Sequence, residues 1–237
     1  MRNVIAIARR ELGSYFGSFL AYLVIALFLV VNGFFFYLNV TFGQQATIGP
    51  VVQTIYTILL LITPILTMRL ISEELRSGTV ELLLTAPVRD FEVVAGKFLA
   101  AMGFVGVMLL LTLAYPAVLF ALGSPDWGVV GSAYLGMVLF AGAAVGIGLF
   151  ASSVTPNQIV AAVLAFVILL VLWVVDGLSS GLGGDIGGVV RELALYTHFS
   201  DLTRGLVNSK DIVYFLSLIA FGLYLSTTAL EARRWRG

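Results

Sequence analysis

The chain has 237 residues, 60% of them hydrophobic and 11% charged, with 13 basic and 13 acidic side chains and no cysteine. A mean hydropathy of +1.05 excludes a water-soluble globular domain and points to a polytopic membrane protein of all-α class, since uncharged runs of this length span lipid as helices. The lack of cysteine excludes disulfides, thiolate nucleophiles and cysteine metal sites, and with five Met and one His it gives no support to copper ligation.

The N-terminal segment, residues 1–17, reads as an interfacial helix. Ile5, Ala8, Leu12, Tyr15 and Phe19 recur at helical spacing while Arg2, Arg9 and Arg10 fall among the polar positions, so the helix is expected to lie along the headgroups. It is not read as a signal peptide: the uncharged run from Ser18 to Leu38 is as long as a spanning helix, and no small-residue cleavage site follows it. Six spans are expected at about 18–39, 51–71, 93–121, 130–152, 158–176 and 211–231. With the N-terminus cytoplasmic, the inner face holds Arg2, Arg9, Arg10, Arg69, Arg76, Arg89, Lys97, Arg233, Arg234 and Arg236 and the outer face only Arg191, Arg204 and Lys210. The positive-inside rule therefore puts both termini on the cytoplasmic side of the membrane. Of the outer segment 177–210, residues 177–188 carry six glycines and read as a flexible connection. Residues 189–199 have helical periodicity, with Val190, Leu193 and Leu195 on the side expected to dip into the interface; they either cap a pathway or merely join spans.

Several chemistries are missing. AGKF at 95–98 contains Gly-Lys, but Phe91 and Phe98 stand where a phosphate loop needs its first glycine and its hydroxyl, so this chain is expected to bind no nucleotide or other cofactor. Lys97 is expected to snorkel from the inner end of span three. The span interiors carry essentially no charge, with Asp176 and Asp211 at span ends, which argues against ion-coupled transport. No metal-ligating or catalytic pattern appears around the single histidine, His198, which reads as a surface or interfacial residue. Asn32, Thr57 and Thr63 are the candidate polar handles of a pathway, among further in-span groups at Asn39, Gln53, Thr54 and Thr67; the threonine hydroxyls either line a path or bond their own helix. GAAVG at 142–146 permits close helix approach, between subunits or within one.

RLISEELRSGTVELLLTAPVRD, residues 69–90, puts seven charged side chains into twenty-two residues of an otherwise apolar chain, so it must protrude from the membrane. Gly78 interrupts, Glu81 favours a first turn and Pro87 stops it, which predicts a short helix over about 79–86 with Val80, Leu83 and Leu84 on its apolar side. An apolar side on an exposed loop belongs against the membrane or in a groove of another protein. Glu73 and Glu74 are expected to pair with Arg9 or Arg10 at an inner gate.

EELRSGTVELLLTAPVRDFEVVAGKFLA resembles the segment between spans two and three of ABC-2 type transporter permeases, in particular those similar to gliding-motility-associated permeases. RRELGSYFGSFLAYL, YTHFSDLTRGLVNSKDIVYFLS and EARRWR resemble other parts of the same group. The resemblance implies an elbow helix at the N-terminus, a coupling helix within 72–90 and short re-entrant or capping helices before span six. It implies that Glu73, Glu74, Arg76, Val80, Glu81, Leu83 and Leu84 dock a separate ATP-binding cassette ATPase, which holds ATP and magnesium. Two permease copies, or this chain and a related permease, would meet around spans one, two and five, with a further membrane protein bearing a large outer domain as a possible partner; nothing calls for nucleic acid. The apolar wall suits an amphipathic or lipid-linked cargo. A non-transporting scaffold that passes ATPase-driven movement to an outer-domain partner is the competing expectation, and a stand-alone channel a third.

Overall fold

Backbone amides and carbonyls in lipid must be satisfied within the segment that carries them, and the long uncharged runs fold accordingly. The computed structural model describes residues 2–43, 47–79, 88–123, 126–179 and 191–234. Its helices are α1 (Arg2–Phe16), α2 (Phe19–Gly43), α3 (Gly49–Thr67), α4 (Ser72–Ser77), α5 (Asp90–Thr112), α6 (Ala114–Leu122), α7 (Trp127–Val154), α8 (Gln158–Ser179), α9 (Leu195–Thr203) and α10 (Ser209–Arg234). Among the described residues there is no strand, and six stretches are long and apolar enough to cross a membrane, with α4 continuing α3 and α6 continuing α5. The protein is an all-α polytopic membrane protein.

Alternating spans gather α1, α4, the start of α5, the turn from α7 to α8 and the end of α10 at one end of the bundle. Arg234 lies 3.5 Å from Asp90 there, and the Arg233 guanidinium donates to the Val154 carbonyl at 2.8 Å. This is the Lys97 end. The opposite, His198 end holds α9 and the start of α10.

At the centre stands α7, buried along most of its length while α2, α8 and α10 present most of their surface outward. Small residues make this possible: Ala133, Gly136, Ala143, Ala144, Gly148 and Ala151 are buried on its several faces and let neighbours approach closely. The GAAVG pair serves packing within the subunit. A methyl built on Gly142 would meet the Ile219 side chain at 2.7 Å, and one on Gly222 of α10 would meet the Gly146 backbone at 2.6 Å. Gly222→Ala must therefore push α10 off α7, a change expected to cost about 1–3 kcal/mol. Gly106→Ala and Gly131→Ala, where the added methyl meets nothing within 4 Å, should leave thermal unfolding in detergent unchanged.

Helix α1 is clamped to α5 rather than simply resting on headgroups. Its protein-facing stripe is Asn3, Val4, Ile7, Ala8, Glu11, Leu12, Tyr15 and Phe16, whereas Ile5 and Phe19 of the expected apolar side are exposed. The stripe is rotated because α5 offers polar partners as well as close approach. Asn3 Nδ2 donates to Glu92 Oε2 at 3.1 Å, Lys97 Nζ donates to Glu11 Oε1, and Gly96 admits Ile7 so closely that a methyl there would sit 2.7 Å from it.

Candidate functional site

The charged stretch that cannot lie in lipid is anchored on both sides of its central part. Upstream, α3 stops at Thr67, the chain turns, and α4 carries Glu73, Glu74 and Arg76 before Gly78 closes it in the left-handed region at φ 73°. Downstream, Arg89 precedes α5, and its backbone amide donates to Glu92 Oε2 at 3.2 Å. Val80, Glu81, Leu83 and Leu84, with the helix expected over 79–86, lie outside the described residues apart from Thr79.

A buried lysine organises this end. Lys97, on the second turn of α5, donates to Glu74 Oε1 at 2.8 Å and to Glu11 Oε1 at 3.1 Å, so one ammonium holds α4, α1 and α5 together. Its side chain is 3% exposed, which corrects the expectation that it snorkels: two carboxylates facing it from neighbouring helices offset its desolvation better than a reach to the headgroups. The pairing expected between Glu73 or Glu74 and Arg9 or Arg10 is corrected with it. Arg9 and Arg10 lie on the exposed edge of α1 and Glu73 is exposed on α4, whereas Glu11 sits on the stripe that faces α5. Arg10 acts on Glu74 only through its longer-range charge. The Tyr15 hydroxyl donates to the Leu66 carbonyl at 3.0 Å, and burial, helped by the negative charge of Glu11, pushes its phenol above the ordinary range so that it stays a donor.

A second tie joins α4 to the central helix. Ser152, at the end of α7, accepts from the Ile71 amide at 2.9 Å and the Ser72 amide at 3.0 Å, and donates to the Met68 carbonyl at 3.0 Å. These are backbone groups freed where α3 ends, and a fully buried hydroxyl satisfies them. Arg76 lines a shallow groove with residues 156–159 of the turn after α7. Helix α4 is thus tied through Lys97 to α1 and α5 and through Ser152 to α7.

The candidate pathway residues do not share a surface. Asn32 and Thr63 are buried inside the subunit, and Thr57 is exposed on α3. Thr54, Thr57, Thr63 and Thr67 each donate to a carbonyl of their own helix, at 2.7–3.0 Å. Asn32 Nδ2 does the same to Phe28, leaving its Oδ1 without a partner among the described residues. The backbone took these groups because in an apolar helix the carbonyl four residues back is the nearest acceptor.

At the other end, α9 inserts Leu195, His198, Phe199 and Leu202 into the bundle. Phe199 stacks on Tyr56 of α3 at 4.3 Å, and Leu202 covers Gly136 of α7. The helix runs Leu195–Thr203 rather than over 189–199; Leu195 is buried against protein, Leu193 is exposed, and Val190 and residues 177–188, except for 177–179, lie outside the described residues. Its apolar side serves the bundle because the heptad-like set 195, 198, 199 and 202 is the one facing α7.

His198 is the other correction, since it is buried, not superficial. Nε2–H donates to the Glu192 carbonyl at 3.1 Å, Nδ1 meets Asp211 Oδ1 at 2.6 Å, and Tyr214 stacks on the ring at 4.1 Å. A carbonyl only accepts, so Nε2 carries a hydrogen in that bond, and Nδ1 faces the Asp211 carboxylate. The pair ties α9 to α10, and Thr197 Oγ1 ties α9 to Asp176 of α8 at 2.5 Å. His198→Ala is expected to strand Asp211 in the bundle and to cost about 3–5 kcal/mol; His198→Ala with Asp211→Asn should recover most of it. Thermal unfolding of the purified chain reads both, and equal melting of the single and double variants would contradict the pairing.

A family model described as ABC-2 family transporter protein matches residues 36–191, more than half of the chain. No curated protein matches it.

Proposed function

Since the chain belongs to the ABC-2 transporter family and is a membrane permease component of an ATP-binding cassette transporter, we propose that it couples ATP hydrolysis by a separate ATPase subunit to export of substrate from the cytoplasm. In this reading the Lys97 end is cytoplasmic, with both termini there, and ATP and magnesium are held by the partner. The ATPase docks on residues 73–88, with Arg76 and the 156–159 turn as a flanking contact. The observation that carries the reading is the Lys97 node: the charge-rich segment 69–90 is bound at its root to α1, α5 and, through Ser152, to α7. A rigid connection of this kind turns displacement of a docked partner into movement of spans, in the manner of a bistable packed interface.

Two copies of this chain, or this chain and a related permease, form the membrane unit. The outward faces of α2 and α8, and Thr57 of α3, are what each copy offers to the other or to lipid. Asn32 and Thr63 reach a pathway only if the helices part during the cycle. The uncharged faces suit an amphipathic or lipid-linked cargo.

Vesicles containing the permease and its ATPase test the proposal. ATP-dependent movement of an amphipathic substrate is expected, together with labelling of single cysteines at Thr57 and Val167, both exposed positions, that changes with ATP. Hydrolysis that shifts this labelling without moving any substrate would favour the scaffold that works on an outer-domain partner. Conduction by the permease alone would leave only the channel reading.

A further inference from the structure

A cavity of about 300 Å³ opens at the Lys97 end between α1, α2, α3 and α4. Its composition changes from one side to the other. Leu20, Val24 and Ile65 form an apolar wall, and Leu20 and Ile65 are 47% and 51% exposed on the outer faces of α2 and α3. In a polytopic protein outward apolar faces of this kind are open to acyl chains. The rest is polar: Arg10, Arg69 and Glu73 line the cavity, and the Glu11–Lys97–Glu74 node closes it.

The charges of the lining narrow what fits. Arg10 and Arg69 make no ion pair with any described residue, and neither does Glu73, while Glu11 and Glu74 share the single ammonium of Lys97. The lining therefore sums to zero, with two free guanidiniums on one count and one free carboxylate plus an over-acidic node on the other. A purely anionic headgroup would meet the guanidiniums well but leave the acids facing it. A headgroup with a phosphate and a primary ammonium satisfies both sets: guanidiniums pair with phosphate oxygens through their planar fork, and an ammonium has three hydrogens for carboxylates. A quaternary ammonium has none.

We propose that this cavity is a binding site for a zwitterionic phospholipid of the ethanolamine type, with its phosphate between Arg10 and Arg69, its ammonium toward Glu73 and the acidic node, and its acyl chains along Leu20, Val24 and Ile65. The bound lipid bridges α1 to the turn between α3 and α4, beside the root of the segment assigned above to ATPase docking. The site requires only that the Lys97 end lie at a membrane surface, so it stands or falls independently of the ATPase.

Native mass spectrometry of the full chain, released from detergent micelles in the presence of matched phosphatidylethanolamine, phosphatidylglycerol and phosphatidylcholine, tests it. Phosphatidylethanolamine is expected to occupy one site with at least tenfold preference over the other two. Arg10→Gln with Arg69→Gln should reduce that occupancy at least tenfold, and Glu73→Gln should narrow the preference over phosphatidylcholine. Leu20→Trp, which fills the apolar wall without touching a charge, should also expel the lipid. Soluble phosphoethanolamine should fail to displace it, because the acyl contacts are missing. Equal retention of the three lipids, or a preference for phosphatidylglycerol, would overturn the assignment, as would displacement by the soluble headgroup at the concentration at which the lipid itself competes. The wild-type competition decides even if a variant fails to fold.

Discussion

Leu83→Asp with Leu84→Asp is expected to abolish co-purification of the ATPase while leaving membrane insertion of the permease intact. The described residues on either side of the segment are held, by Glu74 on Lys97 before it and by Glu92 on the Arg89 amide after it, so the segment starts and ends at fixed places. A charge forced into an apolar groove without a partner costs several kcal/mol, and each 1.4 kcal/mol is about tenfold in affinity. Two such charges should therefore lower affinity by more than about a hundredfold. Insertion should survive because both positions lie in the charge-rich stretch 69–90, outside the spans expected from the sequence. Recovery of both subunits at full yield with ATP hydrolysis still coupled would remove the docking assignment.

Lys97→Met should be the most damaging single substitution in the described part of the Lys97 end. It removes the one cation from between two carboxylates that are 20% and 17% exposed, and breaking a buried pair in this way costs about 3–5 kcal/mol, reduced here to about 2–3 by the partial exposure. The loss should appear as a lower unfolding temperature in detergent and as proteolysis at α1, whose clamp to α5 loses a contact. It should also uncouple ATP hydrolysis from any transport while leaving the ATPase bound, since docking residues are untouched. Lys97→Met with Glu11→Gln and Glu74→Gln should regain most of the stability, because neutral amides no longer repel, yet remain uncoupled. Should Lys97→Met melt with the wild type, the node has no structural weight. Arg10→Gln is the useful contrast: an exposed cation with no ion pair among the described residues, it should leave stability within about 0.5 kcal/mol.

The membrane class and the six spans were legible because they rest on a property of segments: an uncharged run near twenty residues has no other stable form in lipid. The need for the 69–90 stretch to leave the membrane was legible for the same reason, as charge density is local. Partnerships between segments were not. Glu74 could be seen to need a cation, but Arg10, Arg76 and Lys97 all carry one, and only the rotation of α1 about its axis turns Glu11 inward and Arg10 outward. Lys97 itself read as a snorkelling residue because its position in an apolar run says nothing of the two carboxylates that arrive from other helices. A signal did exist: a lone lysine two turns into a span is costly, and two glutamates near the same end were available to offset it.

What the sequence by itself determined, then, is that six stretches are long and apolar enough to span and that charge gathers between them, since both follow from the transfer free energy of contiguous residues. What only the tertiary structure decided is which faces meet. GAAVG permits close approach to any helix, and the fold alone assigns it to Ile219 and Gly222 within the same subunit; His198 lacks any motif, and the fold alone brings it to Asp211. A pairwise contact depends on helix rotation and register, where one residue turns a side chain by about 100°, and that geometry is set by the sum of packing over the whole bundle rather than by any stretch within it.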